Sequence, residues 1–163
     1  MVSSIRKISC GTKIGRGVVI RANVNISFPR RLTIGDHVWI GEDAGILTLA
    51  PVLVESNVCI SQRTHLCTGS HDFRREDFKL QAAPITVREG SWIAAASFIA
   101  PGVEVGSGAI VSAGSVVFES IAPKTFVRGN PATVVSKMRK DKTKEEKPAT
   151  PNESRAVEKF RDT

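Results

Sequence analysis

From Ile14 onward an aliphatic residue returns at every sixth position: Ile14, Ile20 and Ile26, then Ile34, Ile40 and Ile46, then Val54, Ile60 and Leu66. The rhythm stops there, resumes at Val87, Ile93 and Ile99, and closes with Val105, Val111 and Val117. Two residues before many of these stands a smaller or branched partner, among them Val18, Val38, Val58, Ser91, Val103 and Ala109. Such spacing is a very short strand with one face inward. Three residues before the aliphatic position, Gly17, Asn23, Asp43, Asn57, Gly90, Gly102, Gly108 and Gly114 recur, residue types that tolerate positive φ, so a corner falls in every six. A strand and a corner, three times per turn, close a triangular coil of about eighteen residues, and stacked coils share one apolar interior. The pattern therefore predicts an all-β fold, a parallel β-helix of about five coils. A period of six cannot keep one face of a helix with about 3.6 residues per turn inward, and the hairpin dipeptides of a small β-sandwich are missing.

The interruption defines the rest of the organisation. Residues 70–84 read as a loop inserted between the third and fourth coils. Residues 1–13 read as an N-terminal cap over the open end, whose edge would otherwise expose unpaired backbone groups, and residues 14–136 as the repeat domain. The segment from Ile121 to Ala132 breaks the repeat with Pro123 and Pro131, and residues 137–163 read as a short helix, begun within Thr133–Arg139, followed by a disordered tail. The sequence from Lys140 is charged, contains proline and is nearly free of apolar residues.

Composition narrows the function classes. With 41% apolar residues in 163 the chain suits one domain with a continuous core. No apolar run approaches the roughly 18 residues that span a bilayer, and residues 1–7 lack the apolar stretch of a signal peptide, so a soluble, cytoplasmic protein is expected. Cys10, Cys59 and Cys67 show no metal-ligand spacing and fit reduced thiols. The net charge of +7 is unevenly placed: residues 1–31 carry seven basic side chains and no acid, residues 32–136 seven basic and ten acidic, residues 137–163 nine basic and six acidic. A nucleic-acid protein concentrates its cations with stacking aromatics on a folded face, which this distribution does not do. Basic ends also suit a phosphorylated ligand or an anionic membrane surface.

Only three histidines are present. His37 occupies a corner position, and His65 precedes the inward Leu66 and so points out of the coil. His71 differs, because it follows Thr68-Gly69-Ser70 where the periodic scaffold has just ended and opens the excursion from Asp72 to Pro84. Imidazole, with an ordinary pKa of about 6.5, is mostly neutral at pH 7 and able to accept a proton.

The strings Ile14-Gly15, Ile34-Gly35-Asp36-His37-Val38-Trp39-Ile40-Gly41 and Val105-Gly106-Ser107-Gly108-Ala109-Ile110-Val111 resemble the hexapeptide-repeat acyltransferases. The resemblance implies a left-handed winding, an exception to the usual right-handed crossover. The segment Cys67-Thr-Gly-Ser-His71-Asp-Phe73 resembles the catalytic-histidine segment of sugar and polysaccharide O-acetyltransferases. Val117-Phe118-Glu119-Ser120 and Val127-Arg128-Gly129-Asn130-Pro131-Ala132 are most similar to colanic-acid and exopolysaccharide acetyltransferases. What this implies is a homotrimer with sites between subunits, acetyl-CoA as co-substrate with no metal required, a sugar or glycan acceptor, and His71 as the base that deprotonates the acceptor hydroxyl. A lipid-linked acceptor would bring the protein near a membrane surface.

By the same resemblance Ala95 and Ala113 fall where small residues admit the pantetheine arm, and Arg128 or Lys137 where a cation meets the nucleotide phosphates. Phe118-Glu119 and Thr133 depart from the family's usual residues near that nucleotide site. Asp43, Ser70 and Asp72 are the candidate substrate-binding side chains; Ser70, Asp72 and Glu76 are equally placed to orient the imidazole. The acceptor level is assigned to Gly41–Thr48, with Glu42, Asp43 and Thr48 as its polar groups, because Ala22-Asn23-Val24-Asn25, which resembles a substrate-binding asparagine segment, lies one coil too early. A backbone N–H between Trp92 and Ala95 is the expected oxyanion donor. Two other functions fit the scaffold. A metal hydrolyase like the γ-class carbonic anhydrases needs three converging histidines, and a binding β-helix needs no base at all.

Overall fold

The computed structural model describes residues 11–137. Most of the expected N-terminal cap, the segment beyond Lys137 and the charged tail lie outside the described residues.

Coil 1 comprises β1 (Lys13–Ile14), β2 (Val19–Ile20) and β3 (Asn25–Ser27); coil 2, β4 (Leu32–Ile34), β5 (Trp39–Ile40) and β6 (Gly45–Leu47); coil 3, β7 (Val52–Val54), β8 (Cys59–Ile60) and β9 (His65–Cys67). An arm follows, made of β10 (Gly69–His71) and β11 (Leu80–Ala82). Coil 4 is β12 (Ile85–Val87), β13 (Trp92–Ile93) and β14 (Phe98–Ile99), and coil 5 is β15 (Glu104–Val105), β16 (Ile110–Val111) and β17 (Val116–Val117). A partial sixth coil adds a bridge from Ile121 to Val105 and then β18 (Thr125–Gly129) and β19 (Ala132–Lys137). Corresponding strands stack in parallel as three faces: β1, β4, β7, β12, β15 on the first; β2, β5, β8, β13, β16, β18 on the second; β3, β6, β9, β14, β17 on the third. This is the expected parallel β-helix, with an interior formed by the six-residue series.

Each face presents one column inward. On the second face Ile40, Ile60, Ile93 and Val111 succeed one another, all fully buried. Coil 1 is the first of the described stack, and Ile14 there is 40% exposed. The Ile-Gly pairs have a steric cause, since a Cβ on Gly41 would lie 2.4 Å from the backbone N of Gln62 in the next coil. Among the described residues no buried side-chain polar atom lacks a partner. On the outer side of the first face Arg88 joins three successive coils, bonding Glu55 (2.8 Å) and Glu104 (2.9 and 3.1 Å). No helix among the described residues is long and apolar enough to cross a membrane.

Two expectations need adjustment. The insertion is a two-stranded antiparallel hairpin, with Gly69 opposite Ala82 and His71 opposite Leu80. The helix expected from Thr133 is absent over the described part: Ala132–Lys137 is a strand, folded back by the turn at Gly129–Asn130–Pro131 to pair antiparallel with β18. Thr133, Val134 and Val135 are β-branched, stiff at χ1, and suit a pleated edge better than a helix.

Candidate active site

The arm is rooted in the corner between the third and first faces. Thr68, fully buried, donates from Oγ1 to the Leu47 carbonyl (2.7 Å) and accepts the Ala50 N–H (3.0 Å), while its own carbonyl accepts the Ala83 N–H (3.0 Å). Both strands of the arm therefore leave from one anchored residue. Gly69 follows, and a Cβ there would sit 2.5 Å from Leu49 Cδ1, so a larger residue would displace that side chain.

His71 lies in β10, two residues beyond Gly69, and is exposed. Its Nδ1 is 2.6 Å from the Phe78 carbonyl oxygen. A carbonyl only accepts, so Nδ1 carries the proton and Nε2 holds the free lone pair. None of the side chains proposed from sequence performs this orientation. Alternation along β10 puts Ser70, opposite Gln81, on the other side of the arm from His71. Asp72 instead accepts the Arg74 N–H through Oδ1 (3.1 Å), a local turn contact, and Glu76 is an exposed residue at the tip.

A groove of about 410 Å³ runs along the corner between the second and third faces, lined by Ser61, Gln62, Trp92, Ala94, Ala95, Ile110, Ser112, Ala113 and Phe126. The repeat thus brings Ala95 and Ala113 together, one coil apart on one wall. Trp92, 46% exposed, forms the other wall, and its Nε1–H donates to Ser61 Oγ (3.0 Å). At this corner Ala94 N–H bonds the Val111 carbonyl and Ala96 N–H the Gln62 carbonyl, whereas Ala95 N–H has no backbone partner among the described residues. Trp92 N–H is also taken, by the Ala109 carbonyl (2.9 Å), so within Trp92–Ala95 the free donor outside the strand is Ala95. Arg128 is exposed and follows Val127, whose carbonyl accepts the Ser112 N–H, which sets it at the upper end of the groove. Lys137 ends β19, and its side chain lies outside the described residues.

Asp43 is exposed on the groove's corner two coils below Ala95, at φ 58°, and is not adjacent to the arm of its own chain. Thr48 is fully buried and donates to the carbonyls of Ser27 and Phe28, so it is a structural group and not part of an acceptor site. His65 packs its ring on Phe98 (centroids 5.8 Å apart) and over Gly45, and burial lowers its pKa. His37 sits at a corner between the first and second faces, at φ 55°. The three histidines thus do not converge, and among the described residues no three His, Cys, Asp or Glu side chains are grouped to hold a metal ion. Cys59 and Cys67 are free thiols.

Comparison with known proteins agrees with this architecture. The family model for the hexapeptide repeat of succinyl-transferase matches residues 2–27, 31–61 and 84–119, leaving a gap over the arm. A protein assigned as the colanic acid biosynthesis acetyltransferase WcaF of Escherichia coli (strain K12) is 45% identical over 125 residues, covering 77% of this chain and 69% of that protein. The galactoside O-acetyltransferase of the same strain is 26% identical over 125 residues, 75% of this chain and 62% of its own length. A hexapeptide-repeat acetyltransferase of Vibrio cholerae O1 biovar eltor, solved with acetyl coenzyme A, superposes with a TM-score of 0.75 at 28% identity over 80% of this chain and 72% of that one. With its repeats matched on both sides of the arm and a relative this similar across most of its length, the chain belongs to the hexapeptide-repeat acetyltransferases.

Proposed function

We propose that this acetyltransferase moves the acetyl group of acetyl-CoA to a hydroxyl of a sugar or polysaccharide precursor, with His71 as general base. The observation that carries the assignment is the bond between His71 Nδ1 and the Phe78 carbonyl (2.6 Å), which leaves Nε2 as the proton acceptor on an exposed ring. Nε2 takes the proton of the acceptor hydroxyl as its oxygen attacks the thioester carbonyl carbon. The Ala95 N–H stabilises the oxyanion. Collapse of the tetrahedral intermediate breaks the carbon–sulfur bond, and the proton on Nε2 passes to the departing thiolate. Ala95, Ala113 and Trp92 line the path of the pantetheine arm, and Arg128 meets the nucleotide phosphates, with Lys137 a second candidate.

The base and the groove occupy different corners of one prism, separated by the width of the third face. A site assembled between neighbouring copies of a homotrimer, one supplying the arm and the next the groove, joins them. A glycan acceptor is supported by the similarity to proteins named for colanic acid biosynthesis and galactoside O-acetylation.

The test is His71→Ala in a free-thiol assay of CoA release with a panel of sugar acceptors. Loss of base catalysis should lower turnover about 10²–10⁴-fold while thermal melting and the oligomer measured by light scattering stay unchanged, because the side chain is exposed. Retained turnover in a folded variant rejects the assignment.

A further inference from the structure

At the corner bearing the groove, one residue per coil takes the left-handed backbone conformation: Asn23 (φ 58°), Asp43 (58°), Arg63 (56°), Ala96 (56°) and Gly114 (68°). The column changes character halfway. In coils 4 and 5 it is small and uncharged and borders the groove; in coils 1 to 3 it is polar and carries both signs of charge. The switch falls between coils 3 and 4, the level at which the arm bearing His71 leaves the scaffold.

Arg63 stands at that switch. Its backbone is held by the bond from its N–H to the Glu42 carbonyl (2.8 Å), and its side chain is exposed. Among the described residues the Arg63 guanidinium makes no ion pair. Asp43 is one rung below, about 4.8 Å away along the stack, yet these opposite charges do not pair. The other neighbouring carboxylate, Glu42, is occupied by Arg21 (2.7 Å), whose guanidinium also lies over the Trp39 ring. Among the described residues no carboxylate therefore engages the Arg63 guanidinium at ion-pair distance. Folding does not call for it either, since the same conformation is filled without strain by Asn23 and Gly114.

The groove lining ends at Gln62, the residue before Arg63. Arg63 lies past the turn toward the third face, away from the lining, and Arg128 already stands at the opposite, upper end. A donor running down the groove with its phosphates near Arg128 thus places its thioester at the level where the corner becomes charged, and the acceptor lies below. We propose that Arg63 is a specificity-determining residue of the acceptor site and that the acceptor carries an anionic group, a sugar carboxylate or a sugar phosphate, which this guanidinium binds. This rests on the donor and acceptor arrangement proposed above.

The test reads binding, so it does not depend on turnover. The full chain and Arg63→Asn are titrated, with CoA present, with methyl glucuronide, glucose 1-phosphate and the neutral methyl glucoside. Asparagine suits the left-handed conformation, so this variant removes the charge without adding strain. A charge-assisted bond predicts that one anionic sugar binds the wild type about ten-fold or more tightly than methyl glucoside, and that Arg63→Asn abolishes this preference while leaving affinity for methyl glucoside and acetyl-CoA unchanged. The preferred anion identifies the source, carboxylate or phosphate. Equal binding of charged and neutral sugars by the wild type, or a preference that survives in Arg63→Asn, overturns the proposal. So does a loss of acetyl-CoA affinity in that variant, which would put Arg63 on the donor. Failure of the acetyl-transfer assignment appears separately, as His71-independent CoA release.

Discussion

Two tryptophans in the same register column provide an internal control for the proposed donor groove. Trp39 and Trp92 both point outward from the second face, two coils apart with Cys59 between them, and are 43% and 46% exposed. Only Trp92 lines the groove. A tryptophan presents some 150–250 Å², so at 46% exposure about 100 Å² of Trp92 is open, and a bound donor is taken to cover about half of it. Covering about 50 Å² at about 25 cal/mol per Å² is worth about 1.2 kcal/mol, or about an eight-fold change in affinity. Trp92→Ala should therefore weaken acetyl-CoA binding by roughly that factor in isothermal titration calorimetry, whereas Trp39→Ala should leave it unchanged. Both variants lose a half-covered indole and should lower the melting temperature by similar amounts, so a general loss of stability cannot mimic the difference. Ser61→Ala, which removes the partner of Trp92 Nε1, should give a smaller loss of affinity with the same sign. Equal effects of the two tryptophan variants on acetyl-CoA, or none from Trp92→Ala, would refute the placement of the donor.

Two further predictions concern the scaffold. Ile93 is fully buried between Ile60 and Val111, so Ile93→Ala should cost about 2–5 kcal/mol in urea unfolding; a loss well below 1 kcal/mol would contradict a tightly packed interior. Bonds from Arg88 hold the carboxyls of Glu55 and Glu104 below the ordinary value of 4.5. Because the folded values are depressed, their stabilisation is present above about pH 4.5 and is lost as pH falls through the folded values. The melting-temperature gap between wild type and Arg88→Ala should thus be largest near neutrality, shrink below pH 4.5 and narrow in high salt; a gap that persists at pH 2 would mean that Arg88 acts through packing.

The solenoid was legible because its cause is local. Ile20, Ile40 and Ile60 had to recur at equivalent places once each coil turned at residues such as Asn23 and Asp43, and no distant contact enters that reasoning. His71 stood out as the place where the rhythm failed. Its orienting partner could not be read, because it is a main-chain carbonyl, that of Phe78, brought near by hairpin pairing. The pairing itself left little trace: Leu80, Gln81 and Ala82 are all exposed, so no alternation marks β11. Similarly β19 pairs only along one edge of β18 and leaves Val134 and Val135 exposed, which deprived it of an inward pattern and let it pass for a helix. Ser70 and Asp72 were candidates by proximity in sequence to His71, and the two-residue alternation of a strand is what separates Ser70 from it.

The way the arm is attached explains how a regular scaffold can hold an irregular site. Coil 4 stacks on coil 3 as if nothing lay between them: Ile85, Thr86 and Val87 pair with Val52, Leu53 and Val54, and the rung bond from Glu55 N–H to the Val87 carbonyl (2.9 Å) matches that from Trp39 N–H to Val58 (2.9 Å) where no insertion occurs. The insertion therefore leaves the core's register undisturbed, and lengthening such a loop adds little closure cost, about 0.6 kcal/mol per doubling. The turn at Asp72–Arg75 is free to vary, but the positions of His71 and of the Phe78 carbonyl that orients it are not. His71 lies three residues from buried Thr68, in the stretch of β10 paired to β11, and not among the turns at Asp72–Arg75 and Arg75–Phe78. A proposed base needs placement within about 0.5 Å of its productive geometry, and this root supports it by tying both strands of the arm to one residue, Thr68, whose side chain is bonded into the scaffold. The groove obtains its own precision differently, from the rung spacing that fixes Ala95 beneath Ala113. In the proposed site the reacting groups are thus set by two rigid references on separate corners, and in the proposed assembly the one freedom left between them is the docking of one copy of the chain against the next.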